Sequence, residues 1–242
     1  MKAIILAAGS GKRSGKHGYK HKSLIKLNLK TVIERIIENL LNSGIKEITV
    51  ITGFNAKYIK ASFDNKEYKD NVSFFYNSKW KHGNNLLSLY EARGEINKDI
   101  LIVNGDMVFS EEIIKKLIKS DKNSIAVDVN RKAQEIDSPG TIVRNNRILD
   151  LGRHINIKDN SGYAVGLYKI SQDIFKSFFD VSEQLLDKDI NSGFHDPLNK
   201  IFEQYFFSIC DVGNDFWMDI DVIGDINIAR KLLKENNSWE IS

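Results

Sequence analysis

Four stretches of this 242-residue chain carry side chains whose types and spacing could do chemistry. "GSGKRSGKHGYKHK" (9–22) holds four glycines and five basic residues, and no acid. Gly9 and Gly11 let backbone N–H groups close on an anion, and Arg13 and Lys22 would add charge-assisted donors. "VNGDMVF" ends an apolar run on Gly105–Asp106, and "FWMDIDV" sets Asp219 and Asp221 two residues apart. In an extended segment those two carboxylates share a face, where they repel unless a cation sits between them. "NNLLSLY" puts Asn84 and Ser88 at i, i+4 helical spacing, with Asn85 in the first turn. Amides and hydroxyls both donate and accept, as reading a pyrimidine edge requires. A cationic glycine loop beside aspartates suits a triphosphate with Mg²⁺, a cation that prefers carboxylates, phosphate oxygens and water.

Each stretch also has a plain structural alternative. A basic run is usually a solvated loop, Asp106 could be a turn residue, the two aspartates could line an exposed edge strand, and Asn84 could cap a helix. Two named phosphate loops are excluded. A dinucleotide fingerprint needs glycine at position 14, which is Ser14, and a Walker loop needs glycine at Leu6 and a hydroxyl at Arg13.

What decides is where the elements place the loop. "KAIILAA" (2–8) is a continuous apolar run of the kind found in a fully buried parallel strand. "TVIERIIENLLNSG" follows as an amphipathic helix, with Thr31 as N-cap and Gly44 as stop. Strand and helix then alternate: strands at 47–53, 72–77, 99–106 and 124–129, helices opening at Asn55, Asn84 and Ser110. That rhythm calls for right-handed crossovers onto a largely parallel sheet covered on both faces. In such sheets ligands bind at the carboxyl ends of the strands, where the basic loop leaves strand one. From about 130 the rhythm changes. Asn145–Asn146 reads as a hairpin turn, 163–170 as a strand, 171–180 and 196–204 as helices, "FFSICDV" and "FWMDIDV" as strands, and "GDINIARKLLKEN" as a closing helix. The expectation is one α/β domain over 1–242, a three-layer sandwich with a largely parallel, mixed, Rossmann-like sheet. Residues 1–129 form a nucleotide-binding half, and 130–242 an acceptor-binding half that completes the metal site.

Composition narrows the partners. Net charge is +3, yet the first thirty residues supply eight basic groups and no acid, leaving 27 basic against 32 acidic in the rest. A body of charge −5 with one basic loop indicates a local anion site and argues against nucleic acid. The single Cys210, in an apolar run, excludes an internal disulfide framework. No apolar run approaches the roughly 20 residues of a membrane span. The short start "AIILAA" reads as a buried strand rather than a signal, so the expected location is cytoplasmic.

The stretch "LAAGSGKR…HKSL" resembles the signature of the nucleotidyltransferase superfamily, with His21 in place of the usual proline before Lys22. "HGNNLLSLYEAR", "VNGDMVF", "IAVDV", "GYAVGLYKIS" and "WMDIDVIGDINIAR" are similar, in order and spacing, to segments of its phosphocholine cytidylyltransferase branch. That resemblance implies transfer of a cytidylyl group from CTP to a phosphorylated or phosphonylated small alcohol, with release of pyrophosphate. It implies Arg13 and Lys22 as catalytic triphosphate ligands, within a nucleotide site of Leu6, Ala7, Ala8, Gly9, Gly11, Asn84, Asn85, Ser88, Gly105 and Asp106. It implies Asp106, Asp219 and Asp221 as Mg²⁺ ligands. "GFHDPLNKIF" resembles an acceptor-lining stretch, which nominates Phe194, His195 and Asp196; Phe194, Tyr163, Trp217 and Asp196 could cage a choline headgroup. A phosphate acceptor is already anionic near neutral pH, so no strong general base is needed. A sugar-1-phosphate nucleotidyltransferase and a silent nucleotide-binding regulatory module are the alternatives, and a homodimer is left open.

Overall fold

The computed structural model describes residues 1–11, 19–130, 138–156 and 158–235. Its strands are β1 (Lys2–Ala7), β2 (Lys26–Leu27), β3 (Lys30–Thr31), β4 (Ile48–Thr52), β5 (Val72–Tyr76), β6 (Ile100–Asn104) and β7 (Met107–Phe109). They continue with β8 (Ser124–Asp128), β9 (Gly140–Arg144), β10 (Arg147–Gly152), β11 (Gly162–Ile170), β12 (Ser208–Asp211) and β13 (Trp217–Asp219). The helices are α1 (Val32–Asn42), α2 (Ala56–Ala61), α3 (Asn85–Glu91), α4 (Glu111–Lys119), α5 (Phe175–Lys188), α6 (Asp196–Ile201) and α7 (Ile223–Glu235).

Nine strands form one mixed sheet in the order β5-β4-β1-β6-β11-β8-β12-β10-β9. The alternating half is parallel: β4 and β6 flank β1, and β5 adds to β4. β11 then enters antiparallel between β6 and β8. Its first residues also pair with β9, so the hairpin of β9 and β10 curls back onto the sheet. That hairpin turns on Asn145 and Asn146, at φ 48° and 63°, the left-handed pair that matches strand twist.

β1 shows why the sheet is buried on both faces. Ala3, Ile5 and Ala7 pack with α1, α4 and α7; Ile4 and Leu6 pack with α3, α5 and α6. Alternate side chains of a strand point to opposite faces, so one apolar run serves two helical layers. The three-layer expectation holds. α1 starts on a capping box, in which Thr31 and Glu34 each bond the other's backbone. Gly44, at φ 87°, follows as its stop.

Two expectations shift. The helix expected at 171–180 starts with a short 3₁₀ turn and runs on to Lys188. Only Trp217–Asp219 of "FWMDIDV" is strand, paired antiparallel with β7. The chain then turns: Ile220 N–H donates to Asp106 O, and Asp225 accepts from the N–H groups of Asp221 and Val222. Cys210 is buried, and burial pushes its thiol up to about 11.

Candidate active site

The site lies at the carboxyl ends of β1 and β6, where the parallel strands release their loops. Leu6, Ala7 and Ala8 are core residues, and they act there through the backbone. Leu6 O accepts from Gly105 N–H, and Ala8 O accepts from Phe54 N–H. A Cβ at Gly105 would sit 2.6 Å from Leu6 O, so only glycine lets the loop before Asp106 lie this close to β1. Gly9 faces open space, and Gly11 takes φ 61°, a left-handed turn that glycine adopts readily. Arg13 falls outside the described residues.

Lys22 begins a 3₁₀ turn, Lys22–Leu24, which His21 caps by accepting from Ser23 N–H through Nδ1. Ser23 Oγ donates to Gly105 O at 2.6 Å, tying the turn to the loop that carries Asp106. His21 is buried, and burial lowers its pKa to about 4, so the ring is neutral. A buried, bonded imidazole therefore anchors the position where the resemblance expects proline.

The Lys22 ammonium donates to Asp106 Oδ2 at 2.8 Å and to Asp221 Oδ1 at 2.6 Å. Burial alone would lower its pKa; the charge of Asp106 and the hydrogen bonds to both carboxylates outweigh that and raise it. Asp219 is pushed up to about 7 by burial, then by the charges of Asp106 and Asp221. The three aspartates thus feel one another as expected. They do not form a ready cage, however: among the described residues no three acidic, His or Cys side chains gather closely enough to hold a metal as they stand. Instead the Lys22 ammonium bridges two of the three. The donor set is nonetheless all carboxylate oxygen and over-rich in negative charge, which fits a hard divalent cation.

Two clefts meet here. One, of about 640 Å³, is lined by Gly9, Ser10, Gly11 and Lys22 together with Phe54, Trp80, Lys81 and Gly83. The second, of about 480 Å³, is lined by Asn84, Asn104, Ser138, Arg153, His154, Tyr168, Phe194, His195, Asp196 and Asp219, among others. Asn85, Asp106 and Asp221 line both.

Several nominated residues stand elsewhere or do other work. Ser88 is buried and lines neither cleft; its Oγ donates to Asn84 O and accepts from Asn77 Nδ2 at 3.1 Å. Asn84 is the N-cap of α3, with its Oδ1 accepting from Leu86 N–H, and its amide donates to the carbonyls of Asn191 and Ser192. The capping alternative therefore describes it, and it borders the second cleft rather than the first. Tyr163 is buried and lines neither cleft, whereas Ala164, Gly166 and Tyr168 do line the second. The aromatic at that wall is Tyr168, five residues on.

Phe194, His195 and Asp196 do meet at the second cleft. His195 Nε2 and Tyr168 Oη lie 2.8 Å apart, and the Tyr168 and Phe194 rings meet edge-on at 4.9 Å. Burial, then the nearby Arg153 charge, lowers His195 to about 4, while burial raises Tyr168. Asp196 Oδ2 accepts from Gly193 N–H at 2.6 Å, closing the turn into α6. Arg153, His154, Trp80 and Lys81 went unnominated. They come from turns whose position depends on the hairpin's return and on β5, which no local spacing reveals.

This geometry defines a nucleotidyltransferase-type domain, a sheet-end anion loop facing a carboxylate cluster. Residues 3–162 match the MobA-like NTP transferase domain, and the chain belongs to that family. A bifunctional IPC transferase and DIPP synthase of Archaeoglobus fulgidus is 24% identical over 234 residues, 96% of this chain and 44% of that protein. The chain spans less than half the length of the curated relatives it matches. Among solved structures, the inositol-1-phosphate CTP transferase from T. maritima has a TM-score of 0.79 at 18% identity, covering 100% of this chain and 97% of that one. The CTP:phosphocholine cytidylyltransferase of Streptococcus pneumoniae has a TM-score of 0.75 at 18% identity, covering 96% and 98%. Among the described residues no helix is long and apolar enough to cross a membrane.

Proposed function

We propose that this chain is a CTP-dependent cytidylyltransferase that joins CMP to the phosphate of a small phosphorylated alcohol and releases pyrophosphate. The observation that carries the reading is the common wall of the two clefts. Asp106 and Asp221 face both, with the Lys22 ammonium bound to each. A triphosphate in the first cleft and a phosphate in the second would meet at that wall. Two anions must be brought together, so positioning and charge neutralisation are the main obstacles. Lys22, with Arg13 on the same loop, would neutralise the triphosphate and then the departing pyrophosphate. Asp106, Asp221 and Asp219 would hold Mg²⁺, which supplies further charge neutralisation at the phosphates. The acceptor phosphate attacks the α-phosphate directly, its own charge serving as nucleophile. His195, neutral and bonded to Tyr168, helps shape the acceptor wall.

The second cleft favours an acceptor bearing hydroxyls. Asn104, Ser138, His154 and Asp196 give it donors and acceptors, and its two aromatic rings pack on each other rather than around a cation. A phosphorylated polyol such as an inositol phosphate therefore stands ahead of phosphocholine, and similarity to the Archaeoglobus IPC transferase and to the T. maritima inositol-1-phosphate CTP transferase supports that order. The same polar lining favours a sugar 1-phosphate as second reading. The test is pyrophosphate release with Mg²⁺ and CTP, UTP, ATP or GTP against polyol phosphates, phosphocholine, aminoalkylphosphonates and sugar 1-phosphates. Release with CTP and a polyol phosphate is expected; release only with another nucleotide and a sugar 1-phosphate overturns the base and acceptor. Tight CTP binding without release from any pair makes the chain a regulatory nucleotide binder instead.

A further inference from the structure

The first cleft is lined by two chemically different sets of residues. Gly9, Gly11 and Lys22 suit phosphates, whereas Trp80 offers an aromatic ring. A triphosphate held by the glycines and Lys22 would leave its base to be housed beside Trp80.

The turn that carries Trp80 is tied down by hydrogen bonds. Asn77 is buried, donates to Ser88 Oγ, and accepts from Lys79 N–H at 2.8 Å; His82 N–H then donates to Lys79 O. Ser88, nominated from sequence for the base itself, thus holds the turn that presents Trp80 and Lys81. The turn also needs Gly53, since a Cβ there would fall 2.4 Å from Trp80 Cβ. The indole stands edge-on against Phe54, with ring centroids 5.4 Å apart. The Lys81 ammonium lies 5.5 Å from the indole centroid, and among the described residues it makes no ion pair. A fixed ring therefore carries over it a cation that, among the described residues, no carboxylate neutralises.

We infer that Lys81 selects cytosine over uracil in this cleft, an inference that rests on the cytidylyltransferase reading above. Stacking on an aromatic face is tolerant of base identity, because every base has a π-face. Trp80 therefore gives affinity without choice. A lysine ammonium is donor-only. Cytosine presents O2 and N3 as adjacent acceptors, so one ammonium satisfies both. Uracil carries a hydrogen on N3, which sets donor against donor there and parts its two acceptors, O2 and O4, so the ammonium keeps one of them. The choice between the two pyrimidines follows from that single proton.

The experiment is calorimetric titration of CTP and UTP, with Mg²⁺, into the wild-type chain and into Lys81→Ala, Lys81→Arg and Trp80→Ala. Wild type is expected to prefer CTP, and Lys81→Ala to cut the CTP:UTP affinity ratio roughly tenfold, the scale of one good base-edge contact, with a smaller loss for UTP than for CTP. Lys81→Arg, which keeps a donor-only cation, retains most of the preference; Trp80→Ala weakens both nucleotides together. Equal loss of CTP and UTP in Lys81→Ala makes Lys81 a phosphate or steering charge and overturns the inference, as does no change in either. A wild type that binds CTP and UTP equally also overturns it, yet leaves the nucleotidyltransferase reading standing. A wild type that binds neither removes both.

Discussion

Replacing Lys22 by alanine separates its structural from its catalytic work. The Lys22 side chain is 10% exposed, but Asp106 and Asp221 are 37% and 36% exposed, so water partly screens what is left behind. Breaking a fully buried pair costs about 3–5 kcal/mol and a surface pair at most about 1, which places Lys22→Ala at roughly 1–2 kcal/mol. For a chain of this size each kcal/mol moves the melting temperature by about 2–4 °C, giving an expected drop of about 2–8 °C. Catalysis should suffer far more. Losing one fixed positive donor at developing charge typically costs about 10²–10³ in turnover. Pyrophosphate release gives the rate and a thermal melt gives the fold. A third readout needs no substrate: freed of the lysine, Asp106 and Asp221 should bind Mg²⁺ better, so Mg²⁺ should raise the variant's melting temperature more than the wild type's. Turnover within about threefold of wild type, with the melt unchanged, would refute the placement of Lys22 at the triphosphate. A melting drop above about 15 °C would make the lysine chiefly a structural clamp.

Two further predictions follow from the same geometry. His21 and His195 both have folded pKa values near 4, below the ordinary 6.5, so the unfolded chain binds more protons between those values. Stability should therefore be fully present above pH 6.5 and fall as pH drops toward 4, each ring accounting for at most about 3 kcal/mol. Melts from pH 4 to 8 should show that slope, and His21→Gln should flatten part of it; an unaltered slope in the variant would remove His21 as a source. Arg153 is the one lysine or arginine lining the acceptor cleft among the described residues. Arg153→Ala should accordingly raise the KM for the acceptor about tenfold or more, the scale of one charge-assisted hydrogen bond, with CTP affinity unchanged. An equal effect on CTP would place the guanidinium at the nucleotide instead.

The sequence was legible where chemistry and periodicity coincide, and opaque where a turn's position depends on a distant strand. β1 could be read directly, because a run buried on both faces must be apolar throughout, and the glycines that leave it have few other uses. Asp106 and Asp221 could be read because each sits where a strand stops, and stopping points are visible as the end of an apolar run. Their cation could not: Lys22 lies 84 residues from one partner and 199 from the other, and nothing local says that an ammonium will stand between them. Ser88 misled for a related reason. Its i, i+4 spacing from Asn84 places both on one helix, but a polar residue in a mostly apolar helix can serve the protein's own backbone as well as a ligand. Here it serves Asn77. Tyr163 misled by parity, since strand side chains alternate between faces and a residue read without its neighbours' roles is easily assigned to the wrong one. Of the residues that escaped, Asn104 and Tyr168 are on strands, whereas Trp80, Lys81 and Arg153 are on turns. Specificity in such a fold should therefore be sought on turns, and the reaction itself at the strand ends. On the proposed reading the parallel strands would fix where phosphates lie, while turns such as 77–82 could change the base or alcohol chosen without disturbing the sheet.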